Sequence, residues 1–116
     1  MALTRIQTIY VPAARVAECA AFYERILAAR PRFRDGDRWV QFGVGGVGFA
    51  VASFEESAPG AAGAVSVFES DDPADHALLM QAGAEEVSAR DMGDHGRTRT
   101  YLDPAGNLLQ LFWRAP

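Results

Sequence analysis

Asp91, Asp94 and His95 stand close together in the stretch Asp91-Met92-Gly93-Asp94-His95-Gly96-Arg97. One imidazole with two carboxylates is the donor set of a facial triad, which suits a divalent metal with open positions. Nothing in the sequence sets the geometry of these three groups, and such a cluster reads first as a solvated loop. His76 falls in a helical segment and is expected there as an exposed or half-buried residue. Cys19 is the only cysteine, so no disulfide and no cysteine-rich metal site can form within one chain. It lies on the apolar side of a helix and reads as a small core hydrophobe.

Other chemistries find less support. No G-x-S-x-G, no Walker-type phosphate loop and no G-x-G-x-x-G after a strand is present. Gly43-Val44-Gly45-Gly46-Val47-Gly48 is rich in glycine, but it joins two strands and precedes no helix. A phosphate cradle needs helix N-terminal amides.

The elements that must position any site read as follows. A strand is expected over Arg5 to Val11. Pro12 marks its end, and a helix follows over Ala13 to Ala28 with Val16, Cys19, Ala20, Tyr23, Ile26 and Leu27 on one stripe. A short strand near Pro31 to Arg34 leads to an Asp35-Gly36-Asp37 turn. Strands Trp39 to Gly43 and Val47 to Ala52 follow, and Ser53 to Gly63 is a linker. Then the order repeats. Ala64 to Glu69 is a strand. Asp72 caps a second helix with Pro73 at its first position, and Gly83 ends it. A strand near Glu85 to Ala89, a polar loop from Arg90 to Gly96, and strands Arg97 to Leu102 and Asn107 to Trp113 complete the chain. Each half is β-α-β-β-β, so the fold class is α+β with two βαβββ modules, about 5–52 and 64–114, in a single domain over 1–116.

Length and composition agree with one globular domain. The chain has 116 residues, 49% of them hydrophobic, which is enough for a real core. Eleven basic and fifteen acidic residues leave a net charge of −4. That weighs against nucleic acid as a partner and weakly suits a cationic ligand. No secretory signal and no apolar run near ~20 residues is found, so the expectation is a cytoplasmic protein with no membrane partner.

Tyr101-Leu102-Asp103-Pro104-Ala105-Gly106-Asn107-Leu108-Leu109-Gln110-Leu111 is a strand, a tight turn and a second strand. Pro104 presets a turn dihedral, and Gly106-Asn107 tolerates positive φ. This stretch resembles the D-P-x-G-N-x-x-E signature that closes a module of the vicinal oxygen chelate superfamily. That superfamily includes glyoxalase I, extradiol dioxygenases, fosfomycin-resistance enzymes and bleomycin-binding proteins. Val11 to Tyr23 resembles its opening strand and Phe-Tyr helix, with Arg15 where Asp is frequent. Ala82-Gly83-Ala84 resembles its second-helix ending.

The resemblance implies two modules whose curled mixed sheets form a cup, and a homodimer. In the superfamily's metalloenzymes, each first strand and each last strand supplies one ligand. Carried over, these positions fall on Thr8, on Val65, on Gln110 where the signature has Glu, and on Phe49 or Ala50. A hydroxyl and an uncharged amide cannot by themselves hold a catalytic divalent cation, so no metal and no cofactor is expected.

By alternation, Thr8 and Tyr10 face the cup with Val65, Val67, Leu108, Gln110 and Phe112, and Leu109, Leu111 and Trp113 face the helices. Trp39 and Gln41 share a face, as do Thr98, Thr100 and Leu102, but alternation alone leaves open which face that is. The expected ligand-binding set is Thr8, Tyr10, Trp39, Gln41, Val65, Val67, Thr100, Gln110 and Phe112. It suits a small hydrophobic or aromatic ligand. The reading is a metal-independent small-molecule-binding protein similar to the drug-sequestering branch. The alternative is a metal-dependent lyase, epimerase or dioxygenase with relocated ligands. A third reading is a non-catalytic domain serving protein partners. Whether any reaction is catalysed stays open, since Tyr10, Glu69 or Arg97 could act without metal.

Overall fold

The computed structural model describes residues 3–116. The chain divides between Ala62 and Gly63 into two compact units. Each has the same element order. In the first, β1 (Thr8–Pro12) is followed by α1 (Val16–Leu27), β2 (Phe33–Asp35), β3 (Trp39–Val44) and β4 (Val47–Ala52). In the second, β5 (Ser66–Glu69) is followed by α2 (Asp75–Ala82), β6 (Glu85–Asp91), β7 (Arg97–Leu102) and β8 (Leu108–Trp113), with a 3₁₀ turn at Gly93–His95.

The sheets have matching topology. The first runs β1-β4-β3-β2 and the second β5-β8-β7-β6. In each, the first strand pairs parallel with the last, and the remaining pairs are antiparallel. This is the α+β fold of two βαβββ modules with mixed sheets that the duplicated pattern predicts.

In the first unit, one sheet face carries Val11, Val40, Phe42, Phe49 and Val51, all buried. It packs on α1, whose buried stripe is Val16, Cys19, Ala20, Phe22 and Tyr23. The Tyr23 and Phe49 rings lie 4.7 Å apart. The stripe falls at three- and four-residue steps because only those positions share a helix face. The helix begins at Val16 rather than at the expected Ala13, because Arg15 is still extended, at φ −117° and ψ 85°. It ends at Ala28, which takes the left-handed conformation at φ 49°.

In the second unit, Tyr101, Leu109, Leu111 and Trp113 form the buried face on the side of α2. Trp113 Nε1 donates to the Asp72 carbonyl (3.1 Å), and His76 Nδ1 lies 2.9 Å from the Tyr101 hydroxyl. The α2 helix starts three residues beyond the expected cap. Asp72 Oδ1 accepts from Ala74 N, and the Asp72 carbonyl accepts from Asp75 N, so Asp72-Pro73-Ala74 closes a turn ahead of the helix. Ser70 Oγ holds that turn by donating to Asp75 Oδ2 (2.6 Å) and accepting from Asp72 N (3.1 Å). Gly83 ends α2 at φ 113°, as expected of a C′ glycine.

Candidate ligand faces

The face of the first sheet opposite α1 gathers four of the expected site residues. Register places Thr8 beside Gly48, Tyr10 beside Ala50 and Trp39 beside Ala52. Ala50 in turn pairs with Gln41, and Gln41 with Phe33. Because strand side chains alternate, Thr8, Tyr10, Trp39, Gln41 and Phe33 lie on one face. This places Trp39 and Gln41 on the candidate face. It also decides between Phe49 and Ala50. Phe49 packs on Tyr23 behind the sheet, and Ala50, itself buried, lies between Tyr10 and Gln41 in the row of the other face.

The polar tips on this face are linked. Trp39 Nε1 donates to Gln41 Oε1 (2.8 Å), and Gln41 Nε2 donates to Thr8 Oγ1 (3.3 Å). The Tyr10 and Trp39 rings lie 5.3 Å apart at 56° and make an angled aromatic wall. Tyr10 also reaches the linker, where its hydroxyl accepts from Ala58 N (2.8 Å).

On the second sheet, register places Val67, Gln110, Thr100 and Ser88 in one row across β5, β8, β7 and β6. Gln110 Nε2 donates to Thr100 Oγ1 (3.0 Å). Phe112 lies two residues along, between Glu69 and Thr98. Thr100 is therefore on the same face as Gln110, away from Tyr101 and Trp113. Val65 lies outside the strand, since β5 begins at Ser66; it is exposed, as are Val67 and Leu108.

The four positions where the resemblance places metal ligands thus hold a hydroxyl, an amide and two hydrocarbons: Thr8, Gln110, Val65 and Ala50. Thr8 Oγ1 and Gln41 Oε1 each already accept a hydrogen bond. Arg5 and Arg32 line the same cavity as Thr8, and their guanidinium charges oppose a cation there. These residues do not fit a divalent metal.

Asp91, Asp94 and His95 do not supply the missing set. No group of three or more His, Cys, Asp or Glu side chains is placed to hold a metal among the described residues. Asp91 instead ends β6, and its Oδ1 accepts from Gly93 N to shape the 3₁₀ turn.

The closing hairpin shows why Asp, Pro, Gly and Asn occur together there. Asp103 is buried, and its Oδ1 accepts from Ala105 N (2.8 Å) and Asn107 N (2.9 Å). Gly106 takes φ 86°. The carboxylate organises the turn that aims β8, and with it Gln110.

Two features escape sequence reasoning. The first is the buried phenol of Tyr101, whose pKa is pushed up to about 12, mainly by burial. Arg99 beside it pulls the value down and Glu86 pushes it up. The second is a groove of about 720 Å³ in the second unit, with Asp91, Arg97, Trp113 and Arg114 in its lining. Arg97 lies over the Trp113 ring at 5.2 Å, and Arg114 pairs with Glu69 at 2.8 Å. Both features join residues far apart in sequence.

Comparison with known proteins agrees with this fold. Residues 8–112 match the model of a family described as a glyoxalase-like domain. Among solved structures, a glyoxalase-related enzyme from Fulvimarina pelagi superposes with a TM-score of 0.81 at 15% identity, covering 97% of this chain and 89% of that one. A lactoylglutathione lyase from Agrobacterium tumefaciens gives 0.77 at 17% identity, covering 96% and 94%. A glyoxalase/bleomycin resistance protein from Catenulispora acidiphila gives 0.72 at 20% identity, covering 97% and 100%. Identities this low show a shared fold alone. A search of curated protein sequences finds no match.

Proposed function

The chain belongs to the glyoxalase-like domain family, and we propose that it is a metal-independent small-molecule-binding protein whose role is to sequester a hydrophobic or aromatic compound such as a drug. One observation carries this reading. The positions that would hold a metal have become Thr8, Ala50, Val65 and Gln110, while the same faces present aromatic and aliphatic groups with neutral polar tips. Such a lining stacks and encloses a planar ligand and orients it by a few hydrogen bonds. Thr8, Tyr10, Trp39 and Gln41 form the ligand face of the first unit in this proposal. Val65, Val67, Thr100, Gln110 and Phe112 form that of the second. Pairing with a second copy and action in the cytoplasm belong to the same proposal. Among the described residues, no helix is long and apolar enough to cross a membrane.

A planar neutral probe, 2-naphthol, tests the reading. It should quench Trp39 emission saturably, with the Trp39→Phe variant as reference, and chelator should leave the curve unchanged. Tyr10→Ala should weaken binding about tenfold by removing one aromatic wall. Absence of saturable quenching, or quenching lost on chelation, overturns the proposal.

A further inference from the structure

We infer that the first unit carries an oxyanion-binding subsite at the Thr8 end of its open face, so that the ligand joins an anionic group to an apolar or aromatic body. The inference rests on the proposed ligand face and names the chemistry that face would select.

A cavity of about 200 Å³ lies there, lined by Arg5, Gln7, Thr8, Arg32 and Gln41 together with strand glycines. No acidic residue lines it. Neither Arg5 nor Arg32 makes an ion pair with a carboxylate among the described residues, whereas Arg15, Arg38, Arg99 and Arg114 each do. Two arginines with no carboxylate partner among the described residues therefore line one small cavity, the Arg32 guanidinium lying against Gly43, in a chain whose net charge is −4. An arginine fork matches a carboxylate or phosphate with two parallel N–H donors.

The backbone is built around these side chains. A Cβ at Gly43 would collide with the Arg32 guanidinium, and one at Gly48 with Thr8 Oγ1 and Gln41 Nε2. Glycine at both positions lets the polar groups lie against the sheet. Thr8 Oγ1 accepts from Gln41 Nε2, which directs the threonine's own proton elsewhere. That O–H and the second Gln41 N–H are neutral donors suited to an anion. The volume accommodates a carboxylate or phosphate with a few waters, at roughly 30 Å³ for each water. Gln41 also accepts from Trp39, so this cavity-lining side chain is tied directly to the aromatic wall.

The test uses two simple anions on the intact protein at constant ionic strength. Inorganic phosphate and acetate are titrated separately, followed by backbone amide shifts. At least one should shift the amides of Thr8, Gly43 and Gly48 saturably. Saturation by phosphate alone identifies a phosphate-type group, by acetate alone a carboxylate, and by both a general oxyanion site. Arg32→Gln should weaken the effect about tenfold, Arg32→Lys should retain part of it, and the double Arg5→Gln, Arg32→Gln variant should lose it. Both side chains are exposed, so an unchanged melting temperature confirms that the variants fold. No saturable shift with either anion, or equal affinity in the double variant, overturns the subsite. If 2-naphthol still quenches Trp39 in that event, only the subsite fails. If the anion binds and 2-naphthol does not, the aromatic ligand face fails instead.

Discussion

Gln41 Nε2 donates to Thr8 Oγ1 at 3.3 Å, joining the third strand to the first across a backbone that has glycine at position 48. The contact explains the glycine. An alanine Cβ at Gly48 would fall 2.7 Å from the Gln7 carbonyl oxygen as well as on both side chains. Backbone cannot retreat as a side-chain tip can. Gly48→Ala should therefore destabilise by about 1–3 kcal/mol, the cost typical of overpacking. Urea unfolding measures it, and an unchanged midpoint would show that the strands are not this close.

Trp113 and Gln110 occupy opposite faces of β8, so their truncation should have different consequences. Trp113 is 5% exposed and donates to the Asp72 carbonyl. Trp113→Ala should cost about 3–5 kcal/mol of stability. Gln110→Ala loses a half-buried neutral hydrogen bond to Thr100 and should cost about 0.5–1.5 kcal/mol. Chemical denaturation of the two variants should show this order; the reverse would exchange the faces.

The closing hairpin depends on φ 86° at Gly106, where an added Cβ meets nothing within 4 Å. Strain can then come only from the backbone. Gly106→Val should destabilise by about 1–3 kcal/mol. Thermal unfolding checks it, and an unaltered melting temperature would contradict the turn geometry.

Tyr101 gives the fold an alkaline limit. Its phenol has an ordinary value of 10.0 and is raised to about 12 in the folded protein by burial, with Arg99 lowering it and Glu86 raising it to smaller extents. The unfolded chain loses this proton first. The stabilisation is full below about pH 10 and is lost as pH rises toward about 12. Unfolding free energy should fall across that window, and Tyr101→Phe should flatten the fall. An equally steep decline in the variant would place the cause elsewhere.

The alternating strands were the most legible part of the chain. Val47–Ala52 and Arg97–Leu102 coincide with the expected strands, because branched and aromatic residues between turn formers leave little choice. Local pattern could not show which turn precedes a helix. Asp72 and Pro73 suit a cap, but Ser70 and Asp75 bind them into a separate turn. Facing on β8 follows from alternation about Gln110, the one polar residue of Leu108–Trp113, and has no such marker at Trp39 and Gln41. Their face follows from register with Ala50 and Ala52, which is a tertiary property. The strand expected from Ala64 starts two residues later, at Ser66, since hydrophobicity alone does not mark the residue at which ladder pairing starts. The Arg5 and Arg32 cavity was hidden for the same reason. Its residues come together only when β1, β3 and β4 pair.

Metal content of the protein purified without chelator bears most directly on the proposed function. Elemental analysis should find well under one equivalent of any transition metal. The melting temperature should be the same with and without chelator, because nothing in the folded state would be stabilised by a bound ion. A stoichiometric transition metal whose removal lowers the melting temperature would contradict metal-independent binding at Thr8, Ala50, Val65 and Gln110.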